Sequence, residues 1–286
     1  MVDQNTLGQK NNPLAQYFRQ PKIYIRLPSN GEFYPPGALD KSENNTYAVY
    51  AMTARDELMF KTPDALLSGQ STVEVIKSCV PSVLDPWKMP TIDLDAILIA
   101  IRVATYGDKM EVSTNCPTCD TENTFDVNLA NWLEMISSFN YQSTVECDPL
   151  LIHIRPYTYD ELTKTNIKAL EQQRLINIVN DDTMSDEDKL KKFGESFVKL
   201  TELTVGIIAG CISKIETPSG IAVDPQHIKD FINNAPKEVF DKIATHITEM
   251  KDRIELKPLD VKCSECNFDF VMPVTMDQSN FFAVRS

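Results

Sequence analysis

The sequence predicts an α+β fold in which a small β-rich core is interrupted by a large, mainly helical insertion. Three observations predict it. Short segments of alternating or β-branched character gather towards the two ends of the chain, at 22–27, 46–52, 110–116, 124–129, 255–262 and 270–274. Helix start signals and helical spacing dominate between about 158 and 252. Two Cys-x-x-Cys pairs, Cys116-Pro-Thr-Cys119 and Cys263-Ser-Glu-Cys266, each sit in a turn between two expected strands. The domain reading that follows is a flexible arm over 1–22, a core made of 23–130 and 255–286, and a mainly helical insertion lobe over 131–254.

The elements follow in order. The arm is polar, with Leu14, Tyr17 and Phe18 as its apolar anchors. Alternation at 22–27 marks the first strand, Pro28, Gly31, Pro35, Pro36 and Gly37 punctuate the chain after it, and Gly31 to Tyr34 is expected as a short strand between those turns. Thr53 is placed to cap a helix, with Asp56 and Glu57 at the positive end of its dipole. Further helices are expected at about 63–68, 72–79 and 93–105. The last begins at Asp93 and Asp95 and contains the unbroken apolar run 97–101, so it is expected to be buried on most sides as the central core element. A strand is expected over about 150–155. Thr158 with Glu161, and Ser185 with Asp188, have capping-box spacing. A Thr-Pro-Ser-Gly turn at 217–220 joins two short strands, and Asp224-Pro225 and Pro236 open two more helices.

Composition excludes several classes of function. The 286 residues are 42% hydrophobic and 24% charged, which is ordinary for a globular protein. Lys plus Arg number 28 against 41 for Asp plus Glu, a formal charge of −13. That balance lacks the positive footprint that a phosphate backbone requires, so nucleic acid is not an expected partner. The lysines at 189, 191 and 192 follow directly on five acidic residues and read as a solvated helix start. No run of about 18 apolar residues could span a bilayer, and no secretory signal opens the chain. The expectation is a soluble protein made in a reducing cytoplasm, where 7 cysteines do not imply a disulfide framework.

Cysteine spacing is the strongest chemical signal. A two-residue gap lets one tight turn present two thiolates, and two such turns complete a tetrahedral zinc ribbon. The expectation is one structural Zn2+ per chain, held by Cys116, Cys119, Cys263 and Cys266. Residues 120–262 lie between the pairs, far more than in an ordinary ribbon, and a folded insertion with neighbouring ends would close that distance. A redox pair at Cys116 and Cys119, unrelated thiols, and two separate or intermolecular sites are the rival readings. Cys79, Cys147 and Cys211 stand singly and read as buried, inert thiols. The three histidines, His153, His227 and His246, form no ligand or catalytic pattern, and no nucleophile elbow, P-loop or dinucleotide fingerprint occurs. The sequence offers no reason to expect an enzyme.

Several ordered motifs carry a family resemblance. They run from Leu27-Pro-Ser-Asn-Gly-Glu-Phe-Tyr34 and Pro35-Pro-Gly37 through Met52-Thr-Ala-Arg-Asp-Glu57 and Leu66-Leu-Ser-Gly69. Ile97-Leu-Ile-Ala-Ile-Arg102 and Thr105-Tyr-Gly107 then lead into the first cysteine pair. In that order they resemble the baseplate hub and hub-assembly protein family of T4-like contractile-tailed bacteriophages, best over 23–130. The resemblance implies a structural or chaperone-like role in building the tail baseplate, with other baseplate or hub proteins as partners and a homo-oligomer left open. It implies the virion tail as location, after assembly in the host cytoplasm, leaves open a factor that helps assembly and departs, and supplies no catalytic residues. The expected contact surfaces are Leu14, Tyr17 and Phe18 in the arm and Phe281 with Phe282 near the end; Phe281 and Phe282 could instead pack on the protein's own core. The alternative reading is a zinc-ribbon adaptor in transcription or nucleic-acid binding, which the charge opposes.

Overall fold

Strand β1 (Pro21–Ile25) pairs antiparallel with β2 (Tyr47–Tyr50), aligning Ile23 with Val49 and Ile25 with Tyr47. The computed structural model in which these elements lie describes residues 14–60, 69–141, 143–179, 185–254, 257–272 and 282. The buried face of the β1–β2 pair rests on helix α3 (Thr91–Tyr106), whose residues 97–101 are at most 1% exposed. A helix apolar on every side has to be enclosed on every side, and α2 (Gln70–Cys79), itself packed on α1 (Ala54–Phe60), joins the β1–β2 pair and the helices that follow α3 in enclosing it. The helix expected at 63–68 falls outside the described residues.

Thr53 caps α1 as its position predicts, accepting from the Asp56 amide at 3.3 Å. Asp56 does more than favour the helix dipole: its Oδ2 accepts from the Thr53 amide and hydroxyl, both at 2.8 Å. The same oxygen takes the Ser78 hydroxyl at 3.0 Å. Arg19 reaches this knot from within the expected arm, 3.4 Å from Asp56 and 2.5 Å from the Ser78 carbonyl, with Tyr50 beneath its guanidinium. The chain is therefore anchored before residue 22.

Beyond α3 the chain forms the hairpin β3 (Lys109–Asn115) and β4 (Glu122–Asn128), then α4 (Leu129–Ser137). No helix is expected there from periodicity. Its signal is Asn128, whose side chain accepts from the amides of Ala130 and Asn131 and turns strand into helix.

The middle of the chain holds a second hydrophobic cluster. An antiparallel sheet runs in the order β5 (Thr144–Cys147), β6 (Leu150–Ile154), β7 (Ile212–Thr217) and β8 (Gly220–Ala222). Helices α5 (Tyr159–Val179) and α6 (Asp186–Gly210) are inserted between β6 and β7 as an antiparallel pair, and α7 (Pro225–Asn234) and α8 (Lys237–Ile254) follow. Ile152, Ile154, Ile212 and Ile215 from the sheet meet Ile228, Ile232 and Ile243 from α7 and α8. Helix α5 opens on the expected capping box, with Glu161 and Thr158 exchanging bonds of 2.9 and 3.3 Å while Arg155 holds Glu161 in a two-bond fork. Asp224 caps α7 with Pro225 at its first position. The two clusters are stitched by amides of Thr91 and Tyr159, which donate to Tyr157 and Met89, and Tyr141 packs against both. The last hairpin, β9 (Leu259–Lys262) with β10 (Asp269–Met272), returns to the first cluster, burying Met272.

Candidate metal centre

Each cysteine pair occupies the tip of a two-stranded hairpin, and the two tips are built alike. The Cys116 amide donates to the Thr121 carbonyl at 3.0 Å and the Asp120 amide to the Cys116 carbonyl at 2.9 Å. In the second hairpin Cys263 and Phe268 make the first of these bonds at 2.9 Å, and Asn267 and Cys263 the second at 3.2 Å. The residue after each second cysteine, Asp120 or Asn267, has φ of 57°. Among residues with a side chain, Asp and Asn tolerate that left-handed turn best, so both tips close without glycine. In each pair the first cysteine is buried and the second exposed.

The two tips face one another. Cys116 and Cys266 sulfurs lie 3.6 Å apart, as do those of Cys119 and Cys263. All four fall within 4.8 Å of one another. Four sulfurs about 2.3 Å from a shared ion would be about 3.8 Å apart, whereas a disulfide needs about 2.05 Å. The donor set and its spacing fit a tetrahedral thiolate site. It could hold a metal ion with no ligand position left over.

Asn123, only 3% exposed, brackets the tips together. It stands on β4, its amide nitrogen donating to the Thr121 carbonyl at 2.8 Å and lying 3.6 Å from the Cys263 sulfur. Its oxygen accepts from the Ser264 amide at 2.8 Å and hydroxyl at 2.9 Å. Phe125 and Phe270, on the strands behind, meet edge to face at 6.4 Å. The amides of Cys266 and then Glu265 pull the Cys263 thiol down to about 6, with burial working against them. Hydrogen bonding to Thr121 likewise lowers Cys119. Cys266 is pushed up to about 12: the Phe268 amide lowers it, but burial and the neighbouring thiols prevail. Four thiols this close cannot all ionise without a cation among them, and binding one would release their protons.

The remaining thiols fit the inert reading. Burial raises Cys79 and Cys211 to about 12, and Cys147 is buried in the second cluster. His153 lies across the sheet with Nε2 2.9 Å from Glu216.

The expected contact residues separate. Leu14, Tyr17 and Phe18 are 62%, 77% and 49% exposed, and Phe18 borders a shallow hollow of about 430 Å³ with Tyr50 and Pro81. Phe282 is buried, its ring stacked on Phe60 at 4.4 Å, so in this structure it packs on the protein's own core. Phe281 lies outside the described residues.

The Leu27–Tyr34 motif proves to be a buried knot of turns, and the strand expected over Gly31 to Tyr34 does not form because the segment folds back on Asp93. Asp93 is fully buried at the start of α3, where its carboxylate accepts from the Ser29 amide at 2.8 Å, the Ser29 hydroxyl at 2.6 Å and the Tyr34 hydroxyl at 2.9 Å. Burial raises its pKa to about 6 against those three bonds. Gly31 has φ of 73°, and a side chain there would press on the Tyr47 hydroxyl at 3.1 Å. Asn123, Ser29 and Tyr34 carry no spacing signal of their own; only the turn chemistry around Gly31 hints that its loop is closely packed.

A family model described as "T4 bacteriophage base plate protein" matches residues 21–283. No curated protein and no solved structure matches the chain.

Proposed function

The chain belongs to the T4 bacteriophage base plate protein family, and from that premise we propose that it serves the central hub of the baseplate of a contractile tail, as a hub component or hub-assembly factor acting by protein–protein contact. The motif order from Leu27 to Cys119 supports the hub assignment. We further propose that Cys116, Cys119, Cys263 and Cys266 bind one structural Zn2+ per chain. The meeting of two remote hairpin tips with tetrahedral sulfur spacing carries this reading. Zinc bound there would supply a cross-link and no chemistry, since four thiolates complete its shell. Asn123 would hold the two tips in register, and Asp120 and Asn267 would shape them.

Such a role places the protein's action in its surfaces, with the arm residues Leu14, Tyr17 and Phe18 as one contact. The net charge of −13 favours protein over nucleic-acid partners. Mass spectrometry of purified tails and of tail-less assembly intermediates tests the hub role. Recovery with central baseplate proteins in either fraction is expected, and its absence from both would overturn it. Replacing Leu14 and Tyr17 by Ser should reduce that recovery without changing the melting temperature.

A further inference from the structure

We propose that the groove between α5 and α6, closed at one side by α7, is a docking site for an acidic amphipathic helix of a neighbouring baseplate protein. This proposal rests on the baseplate reading and adds the chemistry of one partner. The groove encloses about 520 Å³, running from Tyr157, just ahead of α5, to Lys168 on it and along α6 from Lys199 to Gly210. Its length, on the order of 16 Å, matches about three turns of a helix.

Charge selects the occupant. Lys168, Lys199 and Lys229 reach the groove from three different helices. Among the described residues none of them makes an ion pair, whereas Lys164 is satisfied by Asp160 at 2.8 Å. On the acidic side, Glu161 is held by Arg155, which leaves Glu202 alone to oppose the three lysines. An excess of positive charge in one trough of a chain with net charge −13 is complementary to a carboxylate-bearing partner. The floor suits a helix rather than a flexible strand of nucleic acid. Gly206 and Gly210 lie one turn apart on α6, and the Tyr157 ring packs 3.0 Å from where a Cβ at Gly210 would stand. At Gly206 nothing lies within 4 Å, so the chain's own packing does not call for glycine there. Glycine inside a helix costs about 1 kcal/mol relative to alanine, and its benefit here is a floor low enough for a second backbone to approach.

The test uses the full-length protein and a fluorescein-labelled helical peptide of about 18 residues, with alanine along one face and glutamates flanking it. Fluorescence anisotropy should show saturable binding that weakens with salt. Binding should fall about tenfold or more in Lys199→Glu/Lys229→Glu, while a lysine-for-glutamate peptide should gain affinity for that variant. Gly206→Leu should also block the peptide; its side chain enters open space and favours the helix, so circular dichroism should match wild type and the melting temperature should be equal or higher. Three results would overturn the proposal: no binding to wild type at about 100 μM peptide, equal binding by all variants, or tighter binding of a single-stranded oligonucleotide at the same groove. The chain's content in tails is measured alongside. Normal content with any of these results removes the groove alone, whereas absence of the chain from tails and intermediates removes the baseplate reading.

Discussion

The cysteine hairpins and the central sheet solve the same problem in opposite ways. The hairpins β3–β4 and β9–β10 have two strands each and leave Phe268 and Val271 45% and 60% exposed. A two-stranded hairpin is marginal in water, and these two keep few side chains fully buried, among them Met110, Val127 and Met272. They meet at specific places: the four-sulfur cluster, where the proposed metal would join them, the Asn123 bracket and one aromatic pair. The central sheet has four strands and an isoleucine layer that is 5% exposed or less. Where burial is thin the chain relies on directional bonds at named residues, and where burial is thick it relies on packing. Loss of one link should therefore be local and severe in the first case, and spread through a cluster in the second.

The largest effect is expected from Cys263→Ser. Structural zinc sites contribute on the order of 10–16 kcal/mol of apparent folding free energy, so loss of a ligand should release the metal and expose both hairpins to hydrogen exchange. Amides of β6 and β7 should stay protected in the same spectrum; their simultaneous loss would show that the two regions fold as one unit. Ile152→Ala should cost about 2–5 kcal/mol and act the other way, loosening the sheet while metal content per chain is unchanged.

Asp93 offers a pH-dependent contrast. Its folded pKa is raised to about 6 from 3.8, so the folded state binds the proton more tightly than the unfolded one. The stability contributed by this group is fully present below about 3.8 and is lost as pH rises through about 6. Denaturant melts of wild type and Asp93→Asn at pH 4 and pH 7 should differ in their change with pH by on the order of 3 kcal/mol in total, wild type losing that much relative to the variant as pH rises. Parallel slopes would contradict the buried carboxylate. The smallest effect is expected from Asn123→Ala, about 1–3 kcal/mol for the buried partners it leaves unpaired. The metal should remain bound but exchange faster with a competing chelator, which a colorimetric release assay would read.

The contrast also explains what could be read from the chain in advance. Directional devices with fixed spacing were legible: both Cys-x-x-Cys tips, the Thr53 cap, the Thr158–Glu161 box and the Asp224-Pro225 helix start all stand where their patterns place them. The run 97–101 marked α3 as central because a continuous apolar helix has nowhere else to go. Long-range pairing was not legible. The alternation at 150–155 marks a strand but cannot say that Ile152 aligns with Ile215, across two intervening helices. Asn123 looks like any outward polar residue of a strand, and its role exists only once the second hairpin arrives. Asp93 reads as a helix-start acid, which it is, while its bonds to Ser29 and Tyr34 depend on a loop packed from far away in sequence. Helix α4 was hidden because alternation through β4 runs straight into it and only Asn128 marks the change.

If two remote hairpin tips share a single metal ion, the protein should carry that ion as purified. X-ray absorption at the zinc edge, on protein purified without added metal and with zinc per chain quantified, tests it most directly. One zinc per chain with four sulfur neighbours at about 2.3 Å is expected. Two or fewer sulfurs, nitrogen or oxygen in their place, or protein that folds fully with no metal bound would contradict it.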